Sequence, residues 1–98
     1  MSEVITLLCP IHAAPGKGAA MKTALTALAA ETVKEAGNIC YRLHETDDPE
    51  EFIIYEQWKN SAALDSHMAT AHLQKFLADE AGLLAAEPRG RFLQEILV

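Results

Sequence analysis

The strongest constraint on the fold is a change of hydrophobic period along the chain. Stretches that alternate every residue give way to stretches with apolar groups three and four apart, and the change happens twice. Residues 3–12 are rich in β-branched and large aliphatic groups and stop at Ala13-Ala14-Pro15-Gly16, so they read as a strand followed by a turn with a proline suited to a helix start. From Lys17 to Ala36 the pattern predicts an Ala-rich helix with Met21, Leu25, Leu28, Ala29, Thr32 and Val33 on one stripe, ended by a left-handed cap at Gly37. Residues 38–46 and 51–58 alternate as a hairpin around Asp47-Asp48-Pro49-Glu50.

Asn60 or Ser61 can cap a short helix with Leu64, His67 and Met68, and Thr70 can cap the next, carrying Leu73, Phe76, Leu77, Ala81 and Leu84. Residues 89–98 alternate again as a fourth strand. The order β, α, β, β, α, β defines an α+β fold of the ferredoxin-like βαββαβ type with a four-stranded antiparallel sheet, in one domain over residues 1–98.

In the hairpin, Phe52, Ile54, Glu56 and Trp58 share one face, while Ile53 and Tyr55 share the other with Gln57. On the first hairpin strand Ile39, Tyr41, Leu43 and Glu45 fall together, opposite Cys40, Arg42 and His44. Both faces carry sizeable apolar groups, so a sheet covered by helices on one side needs another cover on its second side.

A net charge of −6, with eight Lys and Arg scattered along the chain, gives no basic face for phosphates, and nucleic acid is not an expected partner. No apolar run approaches the roughly 20 residues that span a bilayer, and Met1-Ser2-Glu3 lacks the basic start of a signal peptide, so a cytoplasmic protein without membrane contact is expected. Cys9 and Cys40 have neither CxxC spacing nor the density of a disulfide-stapled domain, and free thiols are expected.

No metal is expected from spacing: His12, His44, His67 and His72 have no Cys or carboxylate partner at an established ligand interval. Pro15-Gly16-Lys17-Gly18 is too short for a phosphate loop, and no nucleophile elbow is present. What remains is a set formed by Tyr41, Glu56, Trp58, His67 and His72, of which the first four share faces that can line the space between sheet and helices. Tyr41 and Trp58 can equally be core rings with a satisfied polar tip, and the histidines can bond to backbone. Glu56 is harder to place, because a carboxylate between Ile54 and Trp58 on a packed strand face costs several kcal/mol unless paired, hydrogen-bonded or protonated. A salt bridge with Arg42, Arg89 or Arg91, a bond to a histidine and a catalytic role all remain open.

Residues 35–44 (EAGNICYRLH), 52–58 (FIIYEQW), 63–67 (ALDSH) and 71–76 (AHLQKF) together resemble the antibiotic biosynthesis monooxygenase domain family, which includes quinol monooxygenases. The resemblance implies a dimeric α+β barrel, in which a second copy covers the outer sheet face, with a pocket in each subunit between sheet and helices. It further implies a cofactor-independent monooxygenase acting on a small aromatic phenol or quinol with molecular oxygen. The site it implies has His67 or His72 as base, Trp58 as stacking wall and oxyanion donor, and Tyr41 and Glu56 as hydrogen-bonding groups. Phe52, Leu64, Met68 and Phe76 complete the substrate-binding walls, and no metal or other cofactor is implied. The resemblance also disfavours haem chemistry, since haem-degrading members of similar fold rely on an asparagine on the first strand and residues 3–12 contain none. The alternatives are a non-catalytic dimeric module binding a hydrophobic ligand and a small-molecule isomerase on the same fold, for which Arg42, Lys75, Arg89 and Arg91 are the basic groups available to a phosphate.

Overall fold

Three eight-residue strands, β1 (Ile5–His12), β2 (Asn38–Glu45) and β3 (Glu51–Trp58), the last alternating strictly between buried and half-buried side chains, form in the computed structural model, which describes residues 3–98. The helices are α1 (Gly18–Thr32), α2 (Ser61–Met68) and α3 (Ala71–Asp79); a 3₁₀ turn at Ala81–Leu83 leads to the short strand β4 (Arg91–Leu93). The sheet runs β2-β3-β1-β4 with every pair antiparallel, the ferredoxin-like α+β arrangement expected from the order of elements.

Register places Leu7, Cys9 and Ile11 of β1 opposite Glu56, Ile54 and Phe52 of β3, and Tyr41 of β2 opposite Glu56. These side chains share the inner sheet face. Leu7, Ile11, Tyr41, Phe52, Ile54 and Trp58 form one core cluster with Met21, Leu25 and Leu28 of α1 and Leu73 and Phe76 of α3. Each large side chain so buried contributes about 1.5–3 kcal/mol. Caps position the second helical pair. Asn60 Oδ1 accepts from Ala63 N at 2.8 Å; Thr70 Oγ1 accepts from Leu73 N at 3.3 Å and donates to His67 O at 2.7 Å. Thr70 therefore ties the end of α2 to the start of α3, at roughly 1 kcal/mol per cap.

Four local expectations are corrected. Helix α1 ends at Thr32 rather than Ala36, because residues 33–38 close through three-residue bonds (Lys34 N to Glu31 O, Glu35 N to Thr32 O, Asn38 N to Glu35 O), which leaves Val33 exposed. Gly37 is not a left-handed cap; among the described residues only Gly16 has positive φ, at 77°. Gly37 is needed instead for close approach, since a Cβ there would collide with the Ala63 Cβ of α2. A bulge between Asn38 and Cys40 makes Ile39 the extra residue of β2 and turns it to solvent, away from Tyr41 and Leu43. The fourth strand is only Arg91–Leu93: Leu93 pairs with Thr6, so little of β1 is left for the following residues to bond, and Ile96, Leu97 and Val98 stand exposed. No helix among the described residues is long and apolar enough to cross a membrane.

Candidate functional site

A cavity of about 240 Å³ lies between the inner sheet face and the helices. Leu7, Cys9, Tyr41 and Glu56 line it from the sheet, Leu25 and Leu28 from α1, Leu64, His67 and Met68 from α2, and Leu73, Phe76 and Leu77 from α3. Glu87, Pro88 and Gly90 of the segment entering β4 complete the wall. The lining is chiefly apolar, and no Lys or Arg side chain contributes to it among the described residues.

Of the nine residues singled out from sequence, Tyr41, Glu56, Leu64, His67, Met68 and Phe76 line this cavity and three do not. Trp58 is fully buried behind it, at 0% exposure, and its indole N–H is spent on Glu56 Oε1 at 2.9 Å; it is neither an exposed stacking wall nor a free oxyanion donor. Phe52 is buried further along the strand and borders a different, charged hollow with Lys22, Glu45, Asp47 and Asp48. His72 faces a shallow groove between α1 and α3 and reaches the site only through a carboxylate.

That carboxylate is Glu35. Its Oε2 meets Nδ1 of His67 at 2.8 Å and Nε2 of His72 at 2.7 Å. Sequence reasoning gave it no role, because residue 35 stood at the end of the helix expected over 17–36, far along the chain from both histidines. The early end of α1 carries it under α2 and α3. An available signal was its place at the head of the segment running through Gly37 to Tyr41.

The consequence for His67 is chemical. With Nδ1 donating to Glu35, the neutral ring carries its free lone pair on Nε2, and His67 is 3% exposed while lining the cavity. The ring is clamped by Trp58, with centroids 4.5 Å apart and planes at 34°, and borders Tyr41 at 5.9 Å. A fixed ring with an oriented tautomer is the arrangement of a general base. The donor atoms of Glu35, His67 and His72 lie within 4.8 Å of one another, a set of the kind that holds divalent ions. Here the shared oxygen is occupied by two N–H donors, and the three side chains satisfy one another as they stand.

Glu56 faces none of the arginines considered for it. Burial pushes its pKa up, offset in part by the Trp58 N–H bond and by nearby His67 and raised further by Glu35. Burial first, then the charge of Glu56, raises the Cys9 thiol to about 11 and holds the Tyr41 phenol well above its ordinary value. Neither is a thiolate or phenolate nucleophile near neutral pH.

Fold and cavity together define a ferredoxin-like α+β protein with an apolar pocket and a carboxylate-oriented histidine in its wall. The chain belongs to the antibiotic biosynthesis monooxygenase family, whose sequence pattern matches residues 5–79. It is 34% identical over 84 residues to the Bacillus subtilis protein named "Putative monooxygenase YcnE", spanning 85% of this chain and 88% of that one. The crystal structure of PA3566 from Pseudomonas aeruginosa superposes with a TM-score of 0.90 at 36% identity, covering 99% and 98% of the two chains. Rv0793 from Mycobacterium tuberculosis shares the fold at a TM-score of 0.87 and 23% identity, over 98% of each chain.

Proposed function

We propose that this protein is a monooxygenase that oxidises a small aromatic phenol or quinol with molecular oxygen, using no metal or organic cofactor. The observation that carries the reading is the Glu35–His67 pair in the wall of an apolar cavity, with the Nδ1 of His67 held at 2.8 Å. The family membership and the name carried by YcnE point the same way.

The chemistry asks little of the protein. His67 Nε2 takes the proton of a phenolic hydroxyl, and the phenolate passes one electron to oxygen, giving a phenoxyl radical and superoxide. These combine through a new carbon–oxygen bond on the ring. The resulting peroxide anion takes the proton back from His67, and the hydroperoxide so formed loses water as its O–O bond breaks and its ring C–H proton passes to the departing oxygen. One oxygen atom ends in a quinone and the other in water, so that a phenol plus O₂ yields a quinone plus H₂O with no external reductant. The apolar lining keeps bulk water from the reactive intermediates, and His72 helps fix the Glu35 oxygen that His67 bonds.

A phosphorylated isomerase substrate is a poorer fit, because none of Arg42, Lys75, Arg89 and Arg91 lines the cavity. The reading includes a homodimer. Leu8, Pro10, Ile53 and Tyr55 alternate with the inward residues and present an apolar outer sheet face, and the exposed Ile96, Leu97 and Val98 extend beyond β4; a second copy supplies the cover both need.

The test is oxygen uptake by chelator-treated protein with a panel of quinols and anthrone-like phenols, against a protein-free blank. Uptake above the blank that falls by roughly 100-fold or more in His67→Ala is expected. Absence of uptake across the panel, or undiminished uptake in that variant, overturns the proposal. Saturable binding without turnover would instead identify a ligand-binding module.

A further inference from the structure

Glu56 is a second polar group in the cavity wall, and the base mechanism leaves it unused. It lies on β3 opposite Leu7 and Tyr41, is 6% exposed, and makes no salt bridge among the described residues. One oxygen, Oε1, accepts the Trp58 N–H. The other has no protein donor; yet no side-chain oxygen among the described residues is both sealed off and unpartnered, so this oxygen opens onto the cavity that Glu56 lines.

Resting on the proposed oxygenation site, we propose that Glu56 is a catalytic partner of His67: a neutral carboxylic acid whose O–H donates a hydrogen bond to the substrate oxygen on which negative charge collects. The ionisable groups around it are Cys9 from β1, Tyr41 from β2, His67 from α2 and Glu35 from the turn after α1, with Glu87 on the cavity rim. Helices α1 and α3 offer only apolar side chains to the cavity. Two of these neighbours are carboxylates and two are neutral acids, so a third negative charge at Glu56 has only the Trp58 N–H and the His67 ring to offset it. Burial of the carboxyl favours the protonated form in the same direction.

Two titratable groups in one dry pocket are thereby set to opposite tasks, one accepting a proton and one holding it. When His67 removes a hydroxyl proton from a phenol whose ring conjugates it with a carbonyl, the charge is shared through the ring with the carbonyl oxygen, and that is where the Glu56 O–H bonds. The proton of Glu56 stays on Glu56, so the step needs no further acid or base. The arrangement also defines a substrate class: neutral in the ground state, with two conjugated oxygens. Aromatic carboxylates are refused, because they bring a charge into a cavity lined by Glu87, with Glu35 behind His67, and meet no cation on its wall.

The direct test is infrared spectroscopy of the whole protein near neutral pH, with Glu56→Gln subtracted as reference. A neutral carboxylic C=O band that disappears in the variant is expected; a carboxylate band in its place overturns the proposal whether or not quinols are oxidised. The second measurement is binding of 4-nitrophenol, which reports its own ionisation by absorbance and is not consumed. Glu56→Gln, which keeps an N–H donor and an acceptor for Trp58, should bind within about threefold of the parent. Glu56→Leu, if folded by circular dichroism, should bind at least tenfold more weakly, with 4-nitrobenzoate bound poorly by all three. Equal binding of 4-nitrophenol by the Leu variant and the parent also overturns the proposal. A neutral band with donor-dependent binding but no oxygen uptake would uphold Glu56 and sink the oxygenation reading, so the two failures are distinguishable.

Discussion

Replacing Glu35 by Ala tests the centre of the site, and the size of the effect follows from burial. Glu35 Oε2 accepts two imidazole hydrogen bonds, one from a side chain 4% exposed (His67) and one from a side chain 24% exposed (His72). Water can replace the lost partner at His72 but not at His67, where a buried N–H is left without an acceptor at a cost of ~1–3 kcal/mol. A net loss of about 2 kcal/mol is expected, which for a domain of this size lowers Tm by roughly 8–16 °C. Thermal and urea unfolding monitored by circular dichroism measure it, with an unchanged urea slope showing that stability rather than compactness has changed. The control is Glu31→Ala, which breaks only an exposed pair with Lys34 and should shift stability by less than about 0.5 kcal/mol. If Glu35→Ala melts with that control, the carboxylate is not holding His67, and the oriented-base reasoning fails with it. Glu35→Gln keeps one acceptor oxygen and should lose about half as much.

The pH dependence of stability should single out Glu56. Its folded pKa lies above that of an unfolded carboxylate, so its contribution is full below about pH 4.3 and is lost as pH rises through the folded value, at ~1.4 kcal/mol per pH unit across that window. Glu56→Gln should therefore gain stability relative to the parent as pH rises, and a difference that is flat or of opposite sign rejects the burial argument. Gly37→Ala should cost ~1–3 kcal/mol by driving its Cβ into Ala63, and less in an Ala63→Gly background; a purely additive double-mutant cycle would remove the close-approach explanation. Ile96→Glu, on the exposed C-terminal tail, should shift sedimentation toward monomer without lowering helix content, and an unchanged sedimentation coefficient would separate the tail from the proposed interface.

The alternation of residues 51–58 was enough to tell that Phe52, Ile54, Glu56 and Trp58 would face the helices, because a strand has a period of two and any register that buries Trp58 buries the others. The same local logic offered Asn60 or Ser61 and then Thr70 as caps, of which Asn60 and Thr70 cap, and gave Tyr41, Glu56 and His67 faces that the structure brings to one cavity. Local pattern stopped being informative where contacts span the chain. Glu35 meets His67 and His72 from 32 and 37 residues away, and only the early end of α1 and the tie between α2 and α3 bring them together. Trp58 turns its N–H to Glu56 rather than to a ligand, and Ile39 is expelled by a bulge whose place is set by pairing with β3. The period and chemistry of each segment were thus legible from residue order alone. Which polar atoms satisfy one another in the interior was decided by tertiary packing, because a buried N–H must find its acceptor in space and not along the chain.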